Sequence, residues 1–230
     1  MIKLIIFDFD DTITDNSRLD FKSFKITCDK FNIKSPLTLK KLIDFRQKSY
    51  TAEKILKFIK KSTNNFFPMK EFLKERKNFL LTNESNNYLK IKPDTKLILK
   101  TLQKYKIPIF LCTVRNDKEI VKFFLKMNNI ECYFQDIFCT SDLTLKIDNT
   151  ISDNRILIKS SLLKKIIKKN KIDQGEMLFI GNSFEDRIAS SPHKMIFIKF
   201  NNNYLAKENY DYEYSVNTMK NLNKIVKELL

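Results

Sequence analysis

The chain opens Met1-Ile2-Lys3-Leu4-Ile5-Ile6-Phe7-Asp8-Phe9-Asp10-Asp11-Thr12-Ile13-Thr14-Asp15, and the reading of this stretch decides the fold. Lys3 to Phe7 is a short apolar run rich in β-branched residues, the pattern of a strand buried on both faces. It runs straight into Asp8, Asp10 and Asp11. Carboxylates crowded at the mouth of a buried strand repel one another and lose solvation, so they need compensation. A divalent cation is the natural compensator, and hard oxygen ligands suit magnesium. An extended chain has a period of two, which points Asp8 and Asp10 to the same side with Phe9 opposite. One carboxylate can then attack a phosphorus atom while its neighbour handles a proton.

Composition bounds what the rest can be. At 230 residues with 43% hydrophobic content the chain can hold one core domain plus a smaller insertion. Only two glycines and five prolines are present, so Asn, Asp and Ser must serve at most turns. The four cysteines include no Cys-x-x-Cys pair, which fits buried free thiols in a reducing cytoplasm and no zinc site. No leader-like or membrane-length apolar run is found, so a cytoplasmic protein with no membrane partner is expected. The net charge of +16 raises a polyanionic partner. Most of the surplus falls between residues 15 and 90, where a solvated lysine-rich surface explains it more simply than a nucleic-acid site.

Working outward, residues 16–88 carry helical periodicity with no strand between. Leu19, Phe21, Phe24, Ile26 and Phe31 mark one helix. Ser35-Pro36 is the expected cap and first turn of a second. Ile55, Phe58 and Ile59 mark a third, and Phe66 to Leu81 a fourth. From residue 89 strands alternate with helices: strands at 107–113, 136–140, 177–180 and 195–200, helices at 95–105, 115–127, 160–170 and 217–230. Thr144–Ile147 and Arg155–Ile158 suggest an added hairpin, and residues 201–216 read as loop. The alternation predicts an α/β fold, a Rossmann-like parallel sheet formed by residues 1–15 and 89–230, interrupted by a helical insert at 16–88.

Three further signals fall at strand ends. Thr113 closes the 107–113 strand and is followed by Arg115 and Asn116; Asn116 can alternatively cap the next helix. Lys159 directly precedes a lysine-rich helix. Gly181-Asn182-Ser183-Phe184-Glu185-Asp186 follows the strand at 177–180. Together with Asp8-x-Asp10-x-Thr12, their order resembles the four motifs of the haloacid dehalogenase superfamily, with a helical insert like the cap of phosphoglycolate phosphatase-like members. The resemblance spans nearly the whole chain.

That resemblance implies a phosphatase acting on a small phosphorylated metabolite through an aspartyl-phosphate. Asp8 would be nucleophile and Asp10 the acid and base. Thr113 and Lys159 would hold and neutralise phosphoryl oxygens, with Arg115 and Asn116 reaching substrate. Magnesium would be held by Asp8, the Asp10 carbonyl, Asp186 and Asn182. Asn182 is a departure: the family pattern has an acid there, and Glu185 is a possible stand-in. A phosphotransferase or sugar-phosphate mutase uses the same residues. A nucleic-acid-associated or catalytically silent protein is the reading from other classes. His193, the single histidine, reads as structural or exposed, and histidine-based hydrolysis has no supporting pattern.

Overall fold

A computed structural model describes residues 2–64, 66–143, 152–173, 175–205 and 212–230, the side chains of 152 and 153 excepted. It divides into two compact units, one comprising Met1–Thr14, Ile91–Asn202 and Asn209–Leu230, the other Asp15–Lys90 and Asn203–Glu208.

The first unit is built on a six-stranded sheet. Its strands are β1 (Leu4–Asp8), β2 (Ile109–Cys112), β3 (Asp136–Phe138), β4 (Met177–Gly181), β5 (Ile196–Phe200) and β6 (Tyr214–Val216). The spatial order is β3-β2-β1-β4-β5-β6 and every neighbouring pair is parallel. All five residues of β1 are buried, as its unbroken apolar run requires of a central parallel strand. The chain builds outward from β1 in one direction through β2 and β3. It then returns to β1's other side and builds through β4, β5 and β6. The reversal lies between β1 and β4, and ligands of open α/β sheets bind at the carboxyl ends of strands beside such a switch.

Helices α5 (Thr95–Lys104), α6 (Lys118–Met127), α7 (Ser152–Asn170), α8 (Phe184–Ser190) and α9 (Met219–Leu229) complete this unit. Ile158, Leu162, Leu163 and Ile166 of α7 pack in one apolar cluster with Leu4, Ile6, Phe110 and Phe179 of the sheet.

This packing overturns the expected hairpin. Residues 155–158 belong to α7, because the Ile158 spacing continues the helical stripe of Leu162 and Ile166. Thr144–Ile147 lies outside the described residues. The helix therefore starts before Ser160 and includes Lys159. The expected loop at 201–216 likewise yields to β6, whose three residues pair with Ile198, Lys199 and Phe200. Asn116 is exposed and the cap of α6 is Asp117, whose carboxylate accepts from the Glu119 and Ile120 N–H groups at 2.9 and 3.2 Å. His193 is buried, with Nε2 at 3.1 Å from both Ser160 Oγ and the Ser160 carbonyl, a structural role.

The second unit carries α1 (Ser17–Lys30), α2 (Leu39–Gln47), α3 (Ala52–Thr63) and α4 (Met69–Leu80). Phe24, Leu42, Ile55, Ile59 and Phe72 are fully buried in its own core. Two helix starts differ from expectation. Thr38, not Ser35, caps α2 by accepting from Lys41 N–H at 3.2 Å, while Ser35 Oγ accepts from Leu37 N–H in a local turn. Pro68 disfavours helical backbone at Phe67, so α4 begins at Met69, Phe67 is buried ahead of it and Phe66 is 92% exposed.

Scarcity of glycine leaves its mark on the turns. Left-handed backbone is carried by Asp11, Asn32, Ser49, Asn64, Asp94 and Asn129, as the composition predicts, and also by Lys106, Lys171 and Lys194. Cys28, Cys112 and Cys139 are free and buried, whereas Cys132 is free and exposed, against the expectation of burial. No helix among the described residues is long and apolar enough to cross a membrane.

A charge cluster fixes the helical unit. The buried Asp20 carboxylate accepts from Arg46 Nε at 2.7 Å and Nη2 at 3.1 Å, from Arg76 Nη2, and from the Tyr204 hydroxyl. Arg76 also lies over the Phe24 ring, 4.4 Å from its centroid. Burial works against the Arg76 charge and lowers its pKa despite Asp20. Removing the one carboxylate strands two largely buried guanidiniums, a change that costs about 3–5 kcal/mol. Asp20→Asn is expected to lose that much stability in urea unfolding; a loss below about 1 kcal/mol would show the cluster to be dispensable.

Candidate active site

The carboxyl ends of β1, β2, β4 and β5 bring the notable residues of the first unit into one row. Asp8 stands in register with Cys112, and Gly181 with Lys199. Beyond Asp8 the chain leaves the strand at once for a short helical turn, Phe9–Ile13, broken at Asp10 (φ −71, ψ 125) and Asp11 (φ 59, ψ 4), so the extended period of two expected from Asp8 to Asp10 is not kept. The Thr14 hydroxyl secures this turn, donating to the Phe9 carbonyl at 3.0 Å and accepting from Asp11 N–H at 3.3 Å.

Lys159 lies at the centre. From the interior of α7 its ammonium reaches Asp8 Oδ1 at 2.5 Å and Asp186 Oδ1 at 2.5 Å, and all three side chains are buried. The second oxygen of Asp8 accepts from the Thr12 hydroxyl at 3.1 Å. Burial works against the Lys159 charge, but Asp186 and Asp8 hold its pKa above the ordinary lysine value. For Asp8, burial is the largest influence and pushes the carboxyl up, with Lys159 opposing it and Asp186 and Asp10 adding to it. Burial pushes Asp186 the same way, yet Lys159 and Ser183 outweigh it and hold that carboxyl below its usual value.

Asp186 is tied to the protein through both carboxylate oxygens. Its Oδ2 accepts from the Asn182 and Ser183 N–H groups at 3.0 and 3.1 Å, and Ser183 Oγ in turn accepts from Asp186 N–H, a reciprocal cap on α8. With Oδ1 on Lys159, both carboxylate oxygens are engaged in fixing other groups. Glu185 pairs with Arg155 at 3.0 Å and is turned to that partner. Gly181 is required by this arrangement: a Cβ there would lie 2.6 Å from Asp186 Oδ2.

Asn182 brings its side-chain amide up to Asp8 and the Asp10 carbonyl. Its terminal amide atom nearest the strand ends lies 3.1 Å from the Asp10 carbonyl oxygen and 3.3 Å from Asp8 Oδ2. Turned one way, the amide nitrogen donates to both. Turned the other way, the amide oxygen faces the other two at separations close to the roughly 3.0 Å between adjacent ligands of an octahedral cation with bonds of about 2.1 Å. The donor set therefore fits magnesium through one carboxylate, one backbone carbonyl and one amide. Among the described residues no group of three His, Cys, Asp or Glu side chains comes together to hold a metal.

Asp10 is held apart from this network by Arg115. Nε lies 3.1 and 3.0 Å from the two carboxylate oxygens, and Nη2 lies 2.7 Å from Oδ1. The guanidinium rests on the Phe9 ring at 5.0 Å. Burial opposes its charge, but Asp10 more than restores it and raises the Arg115 pKa. Arg115, read from the sequence as reaching substrate, thus has the Asp10 carboxylate as its partner here. The buried Thr113 hydroxyl accepts from Arg115 N–H at 3.2 Å, so it also fixes the turn that presents the guanidinium.

Lys199 escaped the sequence reading. It is buried at the end of β5, and its ammonium donates to the Asn182 carbonyl. A lysine inside the apolar run Ile196-Phe197-Ile198-Lys199-Phe200 is the signal that would have found it.

Residues 5–200 match the family model for haloacid dehalogenase-like hydrolases, and the chain belongs to that family. A HAD-superfamily hydrolase of subfamily IA, variant 1, from Geobacter sulfurreducens superposes with a TM-score of 0.72 at 16% identity, over 100% of this chain and 97% of its own. A predicted phosphoglycolate phosphatase from Haemophilus somnus gives 0.71 at 15% identity over 98% of both chains. A predicted phosphatase from Clostridium acetobutylicum gives 0.69 at 19% identity over 99% of both. Likeness at these identities establishes the fold. No curated protein gives a significant match.

Because Asp186 is pinned from three sides, it cannot retreat from a methyl group at position 181. Gly181→Ala is expected to cost roughly 1–3 kcal/mol as overpacking, read as a lowered melting temperature; an unchanged melting curve would contradict the close approach.

Proposed function

We propose that this chain is a magnesium-dependent phosphatase that hydrolyses a small phosphate monoester through an aspartyl-phosphate on Asp8. The observation that carries the reading is the Asp8 carboxylate itself. It stands at a strand end beside a fold switch point, gripped on one oxygen by Lys159 and on the other by Thr12. A carboxylate so oriented is a nucleophile with its approach direction fixed.

In this reading Asp8 attacks phosphorus in line and the ester oxygen leaves. Asp10, protonated as substrate binds, gives that oxygen its proton, and the resulting carboxylate, paired with Arg115, takes one back from the water that hydrolyses the aspartyl-phosphate. Lys159 and the Thr113 hydroxyl stabilise charge on the phosphoryl oxygens, electrostatic help that is usually the largest catalytic contribution. Arg115 orients the Asp10 carboxylate, and Asn116 reaches substrate. Asp8, the Asp10 carbonyl and Asn182 would hold magnesium, which when bound offsets the repulsion between carboxylate and phosphate. Asp186 serves as the positioning residue for Lys159 and the Asn182 loop. The helical unit, residues 16–88 by sequence, is the insert that selects the substrate, in keeping with the family.

Phosphate release from a panel of monoesters tests this directly. Release should require magnesium and vanish in Asp8→Asn. Asp10→Asn should lower kcat by about 10²–10⁴, the usual share of general acid–base catalysis. No release from any ester with magnesium present, or full activity in Asp8→Asn, would contradict the proposal. Transfer of phosphate to an added sugar in preference to water would mark a phosphotransferase instead.

The Arg115 clamp gives a separate expectation. Lysine is a point donor and cannot reproduce two parallel contacts to one carboxylate. Arg115→Lys should therefore lower kcat at least about tenfold and change KM less; a rise in KM alone would assign Arg115 to substrate binding.

A further inference from the structure

We infer that this chain takes up its divalent cation and the phosphate group as a coupled pair, each raising the other's affinity, because Asn182 leaves the cation site one charge short. This rests on the cation site proposed above and adds how that site is filled.

The oxygens in question come from Asp8, the Asp10 backbone and Asn182, and only the first belongs to an acid. That single carboxylate already shares its charge with Lys159 at 2.5 Å and with the Thr12 hydroxyl. Asp186 brings a second negative charge nearby, but Lys159 occupies one of its oxygens and backbone N–H groups the other. The buried set of Asp8, Asp186 and Lys159 therefore carries a single net negative charge toward a dication. The side chain of Asp10 adds little, being neutralised by Arg115.

Asn182 opposes solitary cation binding in a second way. With its amide nitrogen toward Asp10 O and Asp8 Oδ2, both oxygens are satisfied with no metal at all. A cation must turn that amide over and forfeit two hydrogen bonds, one of them to a carboxylate oxygen. An acid at this position would offer no donor and would welcome the cation unaided. Phosphate supplies what the protein lacks, since it brings negative charge and further oxygens to the open side of the cation. By linkage the cation returns the same factor to phosphate.

The experiment measures binding and not turnover. Manganese(II) is titrated into the wild-type protein with and without inorganic phosphate, at phosphate concentrations that leave the ion free in solution, and binding is followed calorimetrically and by thermal unfolding. The expected result is about tenfold or greater tightening of manganese by phosphate, within the usual range of such couplings. In Asn182→Asp, manganese alone should bind tighter than in wild type, and the coupling should fall to about threefold or less. The melting temperature of the metal-free variant reports whether it folds.

Equal manganese affinity with and without phosphate in the wild type would overturn the inference, as would undiminished coupling in a folded Asn182→Asp. Ester hydrolysis without coupling would sink this inference and leave the phosphatase reading intact. Coupling without hydrolysis of any ester would do the reverse.

Discussion

Everything near the site depends on one buried ammonium lodged between two carboxylates. Removing Lys159, Asp8 and Asp186 from water is costly, and their mutual attraction repays it only if the geometry is good and the remaining polar atoms are satisfied. The structure meets both conditions. Lys159 stands 2.5 Å from each carboxylate, Thr12 takes the free oxygen of Asp8, and two backbone N–H groups take that of Asp186. Those demands reach outward. They require a residue without Cβ at 181, a serine at 183 to close the cap, and a helix that has already begun before residue 159.

The same constraint divides labour among the acids. Asp186 spends its charge on Lys159 and the Asn182 loop, while Asp10 is matched by Arg115 in an ion pair of its own. Asp8 alone combines an ionisable oxygen with a place among the converging oxygens. Asn182 contributes an amide that can face either way.

Much of this was legible in the sequence. The apolar run ending at Asp8 specified a central parallel strand, and strand ends at Thr113 and Gly181 were set by apolar runs bounded by polar residues. The helical insert announced itself by period. What could not be read were properties that arise only when distant segments meet. The alternation of Ile156 and Ile158 suited a strand until packing on Leu4, Ile6 and Phe179 made the stretch helical. Spacing named Asp186 but could not say that both its oxygens have partners within the protein. Arg115 looked like a substrate contact because nothing local showed Asp10 beside it. Strand β6, three residues long, is too short to carry a pattern, and Lys199 was overlooked although its charge breaks the run that contains it.

The central claim is that Asp8 carries the phosphoryl group between substrate and water. Acid quenching during turnover, followed by borohydride reduction and peptide mass analysis, tests this most directly. An acyl phosphate is reduced and a free carboxylate is not. The account predicts reduction at Asp8 alone, dependent on substrate. Continued phosphate release with Asp8 unmodified in every quenched sample would contradict it.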